Sequence, residues 1–213
     1  MEQFYVCSVT ESGFPDHLQE EEDYRSLFAT DLRFDHVPEE ILDALIKEVE
    51  EIVALSRRTR ISIMTASVTN GGALSNMASS IWTHIEKAIS DIISGVSANV
   101  SLSCWELHLA VEKSLKVYIG QFGEEKGWGH DLIALAGHAK KLGLEIDETL
   151  LGNLHGEKNV IKIRYGEIHV AQKEAIESYY SALKLVCAIA SQLKREISIF
   201  NASILIKKAP WAR

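Results

Sequence analysis

Apolar residues recur at intervals of three and four over residues 168–197, and this long series constrains the fold more than any other feature of the chain. The spacing is that of one face of an α-helix, and a second apolar series runs beside the first. About 30 helical residues would make a rod of roughly 45 Å that has to pack on two sides. One side closes a helical bundle, and the other meets either a second subunit or the N-terminal helix of the chain. The first series comprises Ile168, Ala171, Ala175, Tyr179, Ala182, Val186, Ile189 and Leu193, and the second comprises Ile176, Leu183, Ala190 and Ile197.

The same periodicity predicts helices earlier in the chain. One spans about residues 73–95, and a short turn, with Ser101 or Ser103 as the capping residue, leads to another that begins near Trp105. On that helix Glu112 and Lys116 are predicted to pair on the outer face. Its apolar stripe consists of Leu107, Val111, Leu115, Tyr118 and Phe122.

Shorter elements follow. A helix is predicted from Gly129 or His130 to Gly143, with Asp131 in its first turn, and Asp147 can cap another that ends near His155-Gly156. Residues 157–166 are predicted to be a loop or extended, and they hold the densest positive charge of the second half, where an anionic ligand would bind. The fold class predicted is therefore all-α, an antiparallel bundle over residues 73–213, with a minor β adjunct possible from the termini.

Residues 1–72 are predicted to be an acidic N-terminal extension that carries one helix, at about 38–56, with Arg57, Arg58 and Arg60 at its end. Residues 60–69 could be a strand or the frayed end of this helix, and Asn70-Gly71-Gly72 is predicted to be a linker. The extension holds six Lys and Arg against fifteen Asp and Glu, whereas residues 73–213 hold sixteen against fifteen. This balance excludes broad non-specific nucleic-acid binding but leaves room for a local basic site.

Cysteine usage and hydropathy indicate a cytoplasmic protein. Cys7, Cys104 and Cys187 are far apart and odd in number, so neither a disulfide framework nor a paired-cysteine metal site is predicted. The N-terminus lacks the pattern of a secretory signal, and no run of about 18 apolar residues suggests a membrane span. No zinc motif and no nucleophile elbow occurs, so no metal and no cofactor is predicted.

Three short motifs occur in a fixed order: Ala110-x-Glu112-Lys113-x-Leu115-Lys116, then His130-Asp131-Leu132, then Arg164-Tyr165. In order and spacing they resemble the HEPN family (higher eukaryotes and prokaryotes nucleotide-binding domains), over roughly residues 74–193. The resemblance implies a helical bundle that forms a homodimer and binds a nucleotide, RNA or a partner protein. The binding residues that it implies are Lys113, Lys116, His130, Asp131, Arg164 and Tyr165.

HEPN relatives that cut RNA carry an Arg-x4–6-His motif, and two such motifs meet across a homodimer. Arg164 and His169 match this spacing, which implies a metal-independent endoribonuclease of the toxin or anti-phage type. In such a site His acts as the general acid or base and Arg stabilises charge on the phosphate. Against this, residues five apart on a helix lie about 140° apart, and Tyr165 stands where cleaving members have a small polar residue.

Two interpretations therefore stay open. In a binding module without catalysis, Arg164 would pair with Asp131 or Glu112, because Arg suits partly buried carboxylate pairing. In a nuclease, Arg164 and His169 would be exposed together at a dimer interface. His130 would either fix the start of its helix or line the ligand site.

Overall fold

The computed structural model describes residues 37–66, 72–122 and 129–195. Within these ranges the chain forms six α-helices and one 3-10 helix, and the all-α prediction is confirmed. Ala66 and Arg195 form an isolated antiparallel bridge. Residues 1–36 of the predicted acidic extension, Asn70 and Gly71 of the predicted linker, and Ile197 of the second apolar series lie outside the described residues. The elements are α1 (Glu39–Met64), α2 (Ala73–Ile93), α3 (Ser97–Gly120), α4 (Leu132–Lys141), the 3-10 helix (Glu148–Asn153), α5 (Glu157–Arg164) and α6 (Gln172–Ser191).

Helix α3 is the centre of the bundle. It packs against α2, α4, α5 and α6. Of the predicted stripe, Leu107, Val111, Leu115 and Tyr118 are buried, whereas Phe122 lies beyond the end of the helix and is 41% exposed. The helix begins at Ser97, well before the predicted start, because Gly95 with φ +63° ends α2 and leaves only a short turn. The predicted capping role of Ser101 and Ser103 is wrong, since both lie inside α3 and donate to carbonyls of the preceding turn.

Helix α6 is buried on two sides, as its two apolar series predict. It packs on both α3 and α1, and Leu183 and Ala190 of the second series are buried, whereas Ile176 is partly buried. The helix is shorter than predicted, because it starts at Gln172 and ends at Ser191. Ile168 and Leu193 pack on the same core from outside the helix.

Helix α1 is longer than predicted. It continues to Met64, so Arg57, Arg58 and Arg60 lie within the helix, and its last turn carries no basic residue. The prediction that these arginines sit at the helix end is wrong, and residues 60–64 form helix where a strand was one alternative. Through Ile52 and Ile63 the helix joins the same hydrophobic core as α2 to α6.

The elements between α3 and α6 position the polar residues. Asp131 is the N-cap of α4 and not a residue of its first turn, since its Oδ1 accepts hydrogen bonds from the Ile133 and Ala134 amides at 2.8 and 3.3 Å. Asp147 caps the 3-10 helix as predicted. Residues 157–164 form helix α5 and not a loop, because its buried Val160 and Ile163 pack against α3. Eight residues are too few for periodicity to separate a helix from a loop.

Candidate nucleotide or RNA site

A cleft of about 330 Å³ opens beside α3, between the start of α4 and α5. We call it the α3–α5 cleft. The residues of α3 that line the cleft are three or four positions apart, and so are those of α5. Each helix therefore presents one face to the cleft. The lining residues are Trp105, His108, Glu112, His130, Glu157, Val160, Ile161, Arg164 and Tyr165.

The floor of the cleft is the carboxylate of Glu112, which is only 5% exposed. Lys116 Nζ lies 2.7 Å from Glu112 Oε1, and His130 Nδ1 lies 3.1 Å from the same oxygen. His108 Nε2 lies 3.6 Å from Oε2. Burial by itself would raise the pKa of Glu112, but the interactions with His108, Lys116 and His130 outweigh it and lower the pKa to about 2. The floor is therefore a charged carboxylate at neutral pH, and the predicted placement of the Glu112–Lys116 pair on the outer face is wrong.

His108 connects three elements at the bottom of the cleft. Its Nδ1 lies 3.1 Å from the carbonyl oxygen of His155, and its Nε2 lies 3.2 Å from that of His130. Carbonyl oxygens only accept hydrogen bonds, so the imidazole can donate to both only when both of its nitrogens carry a proton. His108 is 2% exposed, and it holds the chain before α4 and the chain before α5 against α3.

The rim of the cleft is formed by Arg164, the last residue of α5. Its guanidinium carbon lies 4.7 Å from the ring centroid of Trp105 and 6.0 Å from that of Tyr165. In the part of the chain that the structure describes, no carboxylate lies within ion-pair distance of Arg164. The predicted pairing of Arg164 with Asp131 or Glu112 is therefore not formed, because Lys116 and the two histidines surround Glu112 and Asp131 caps α4.

The structure brings only part of the predicted binding set together. His130, Arg164 and Tyr165 line the cleft. Lys116 is buried and pairs with the carboxylate of Glu112, and it does not line the cleft. Lys113 contacts α2 instead, and the exposed carboxylate of Asp131 caps α4.

The two residues of the predicted nuclease motif lie on different elements. Arg164 ends α5, whereas His169 lies in the connection to α6, so the angle between two positions of one helix does not apply to them. Both side chains are exposed. His169 is not among the residues that line the cleft.

Three residues that line the cleft were not predicted as site residues: Trp105, His108 and Glu112. Their spacing of three and four residues places them on one line of α3, beside the buried apolar stripe. This line of one aromatic and two titratable residues is the sequence signal that could have revealed the cleft. Among the residues described, no three His, Cys, Asp or Glu side chains are grouped closely enough to hold a metal ion.

The fold and the cleft define a class of protein: a helical bundle whose central helix carries a charged, aromatic-rimmed cleft. A family model described as HEPN domain matches residues 84–193, slightly more than half of the chain, and this range contains the whole cleft. The chain belongs to the HEPN domain family, as its motifs predict. No curated protein and no solved structure matches the chain. Within residues 37–66, 72–122 and 129–195, none of the helices has the length and apolar character needed to cross a membrane.

Proposed function

We propose that the protein is a HEPN-type helical module that binds a nucleotide or single-stranded RNA in the α3–α5 cleft. The observation that carries the proposal is the state of Arg164, which is exposed, stacked over Trp105 and not engaged by a carboxylate of the described chain. A planar guanidinium held in this way is suited to bind a phosphate through two parallel hydrogen bonds.

The aromatic rim supplies the other half of nucleotide recognition. Tyr165 is 70% exposed, and Trp105 lies beneath Arg164. Unpaired bases stack on aromatic and guanidinium faces, which is how proteins hold single-stranded RNA. The volume of about 330 Å³ lies at the lower end of ligand pockets, which suits one nucleotide unit.

The cations at the end of α5 also support an anionic ligand, and they stand against two carboxylates of the lining, Glu112 and Glu157. The last turn of α5 carries Lys162 and Arg164. On the opposite wall His130 is exposed over 66% of its side chain, beside the charge-balanced Glu112–Lys116 pair. The chain as a whole has a net charge of −8, so we expect binding that is confined to this cleft and weak in the absence of Arg164.

The test is fluorescence anisotropy with a labelled single-stranded RNA of about ten nucleotides, competed by ATP. Replacing Arg164 with Ala should weaken binding at least about tenfold, since a hydrogen bond to a charged group contributes about 1.5–3 kcal/mol. Lys87→Ala is the matched control, because Lys87 is an exposed cation on α2 that does not line the cleft. Equal affinity of the Arg164→Ala variant and the wild type would refute the proposal.

A second candidate function is metal-independent RNA cleavage by Arg164 and His169. It is favoured by the exposure of both side chains, neither of which is held by an ion pair or a side-chain hydrogen bond to another described residue. RNA cleavage in EDTA that is lost in a folded His169→Ala variant, and kept in Glu167→Gln from the same connection, would establish this function. If the wild type binds RNA but does not cleave it, the nuclease function is refuted and the binding function stands.

We also propose that the protein is a homodimer, as the resemblance to the RNA-cleaving relatives implies. Large apolar side chains are exposed near the cleft: Ile133 is 74% exposed, Ile161 44% and Tyr165 70%. Light scattering should give twice the mass of one chain, and a monomer would contradict the dimer without affecting the cleft. The cytoplasmic location remains a proposal, supported by Cys104 and Cys187, which are free thiols.

A further inference from the structure

A second polar cluster lies between α2 and α3, away from the α3–α5 cleft. Lys113 Nζ lies 2.8 Å from Ser80 Oγ and 2.7 Å from His84 Nε2. His84 Nδ1 lies 2.6 Å from Glu106 Oε2. The four side chains form a continuous chain of hydrogen bonds, and none of them lines the cleft.

The partners determine which atoms donate. Ser80 Oγ donates to the Met77 carbonyl at 2.8 Å, so it accepts from Lys113. The Glu106 carboxylate only accepts, so His84 Nδ1 carries a proton. In a neutral imidazole Nε2 is then an acceptor, and its lone pair faces the Lys113 amine.

This arrangement has the parts of an activated nucleophile. A nucleophile within hydrogen-bond distance of a base, with the base oriented by a third group, is the general pattern of covalent catalysis and covalent modification. Here the amine of Lys113 is the nucleophile, His84 Nε2 the base and Glu106 the orienting carboxylate. Glu106 also stabilises the imidazolium that forms when His84 takes up a proton.

The surroundings shift the equilibrium of Lys113 towards the free amine. Burial lowers the pKa of Lys113, against the opposing charges of Glu112 and Glu106. By contrast, the hydrogen bond to Asp91 raises the pKa of Lys87. Lys116 is buried in an ion pair with Glu112. The three lysines of α2 and α3 are therefore expected to differ in reactivity.

We propose that Lys113 is a reactive amine that accepts an acyl group from a thioester. The neutral Nζ attacks the thioester carbonyl carbon, and a C–N bond forms. His84 Nε2 takes the excess proton from Nζ, the C–S bond breaks, and the departing thiolate receives the proton from the imidazolium. The products are an amide at Lys113 and a free thiol, and no oxidation or reduction occurs. The site remains open to solvent, since the side chains of His84 and Glu106 are 17% and 12% exposed and Lys113 is partly exposed.

The test follows acetylation of the purified protein by S-acetyl-N-acetylcysteamine, a small acetyl thioester, with peptide mass spectrometry that resolves each lysine. At pH 7 the initial rate at Lys113 should exceed that at Lys87 by about tenfold or more, because His84 acts as a general base only at Lys113. The opposite pKa shifts of the two lysines act in the same direction. The rate at Lys113 should also level off at a lower pH than the rate at Lys87. Lys116 should be almost unreactive.

Two variants test the role of the base. His84→Gln should lower the rate at Lys113 about tenfold or more, within the range of general-base contributions, and leave Lys87 unchanged. His84→Asn, a shorter uncharged side chain at the same position, should lower the rate at Lys113 in the same direction, which covers the case of a His84→Gln variant that fails to fold. A Lys113 rate no higher than that of Lys87 would overturn the proposal, as would a fast rate that neither substitution reduces.

Discussion

Replacing Glu112 with Gln tests the electrostatics of the cleft floor. Gln has nearly the shape of a protonated Glu, so the substitution removes the charge and little else. The pKa of Glu112 is lowered from 4.5 to about 2 in the folded chain, and each unit of difference corresponds to about 1.4 kcal/mol. The ionised carboxylate therefore contributes about 3 kcal/mol to the free energy of unfolding at neutral pH.

The direction of the pH dependence follows from the lowered pKa. The contribution is fully present above the unfolded pKa of 4.5 and is lost as the pH falls towards the folded pKa of about 2. Between pH 6 and pH 3 the wild type should lose about 2 kcal/mol relative to the Glu112→Gln variant. The two proteins should therefore differ by about 3 kcal/mol at pH 7 and converge in acid.

The assay is urea unfolding followed by circular dichroism, at several pH values from 7 to 3. A control double variant, Glu112→Gln with Lys116→Met, removes both charges and should recover much of the stability, because an uncompensated buried ammonium costs more than an apolar replacement. Stability curves of wild type and Glu112→Gln that stay parallel over this pH range would refute the argument. They would show that the carboxylate is not held in its charged form by His108, Lys116 and His130.

Three further predictions concern single positions. Asp131→Ala should lower the free energy of unfolding by about 1 kcal/mol through loss of the α4 N-cap, whereas Asp131→Asn should retain most of it; chemical unfolding distinguishes the two. Gly143→Ala should lower the free energy of unfolding by about 1–2 kcal/mol, because Gly143 has φ +98°. Gly137→Ala, inside α4 with open space around it, should be neutral or stabilising. Opposite results in unfolding experiments would contradict these assignments. Burial raises the pKa of Cys104 to about 11, so iodoacetamide at pH 8 should label it in urea but not in the native protein, as peptide mass spectrometry can show.

Local signals were sufficient where a contact lies within one element. The spacing of Leu107, Val111 and Leu115 predicts a helix, because residues three or four apart share a face whatever the helix packs against. Asp147 predicts a cap in the same way, since its partner is the amide of Thr149, two residues away. The HEPN motifs are likewise short and local, which is why they identify the family.

Local signals could not predict which charged side chains are buried and which are exposed. Glu112 and Lys116 look like a surface pair at i and i+4, and that spacing is the same whether the pair faces solvent or the interior. Their burial depends on α4 and α5, which follow α3 in the sequence and pack against it. The same applies to Arg164, whose stacking partner Trp105 lies on a helix far away in sequence.

The sequence by itself determined the helical fold class, the family, the two-sided burial of α6 and the capping of the 3-10 helix by Asp147, because each depends on periodicity or on neighbours within a few residues. Only the tertiary structure decided that α1 packs on α6 in addition to α3, and that residues 157–164 are a helix. It also decided that Glu112 is the floor of a cleft while Lys113 faces α2. These outcomes depend on contacts between residues far apart in the chain, and burial and pairing at such distances follow from the packing of whole helices.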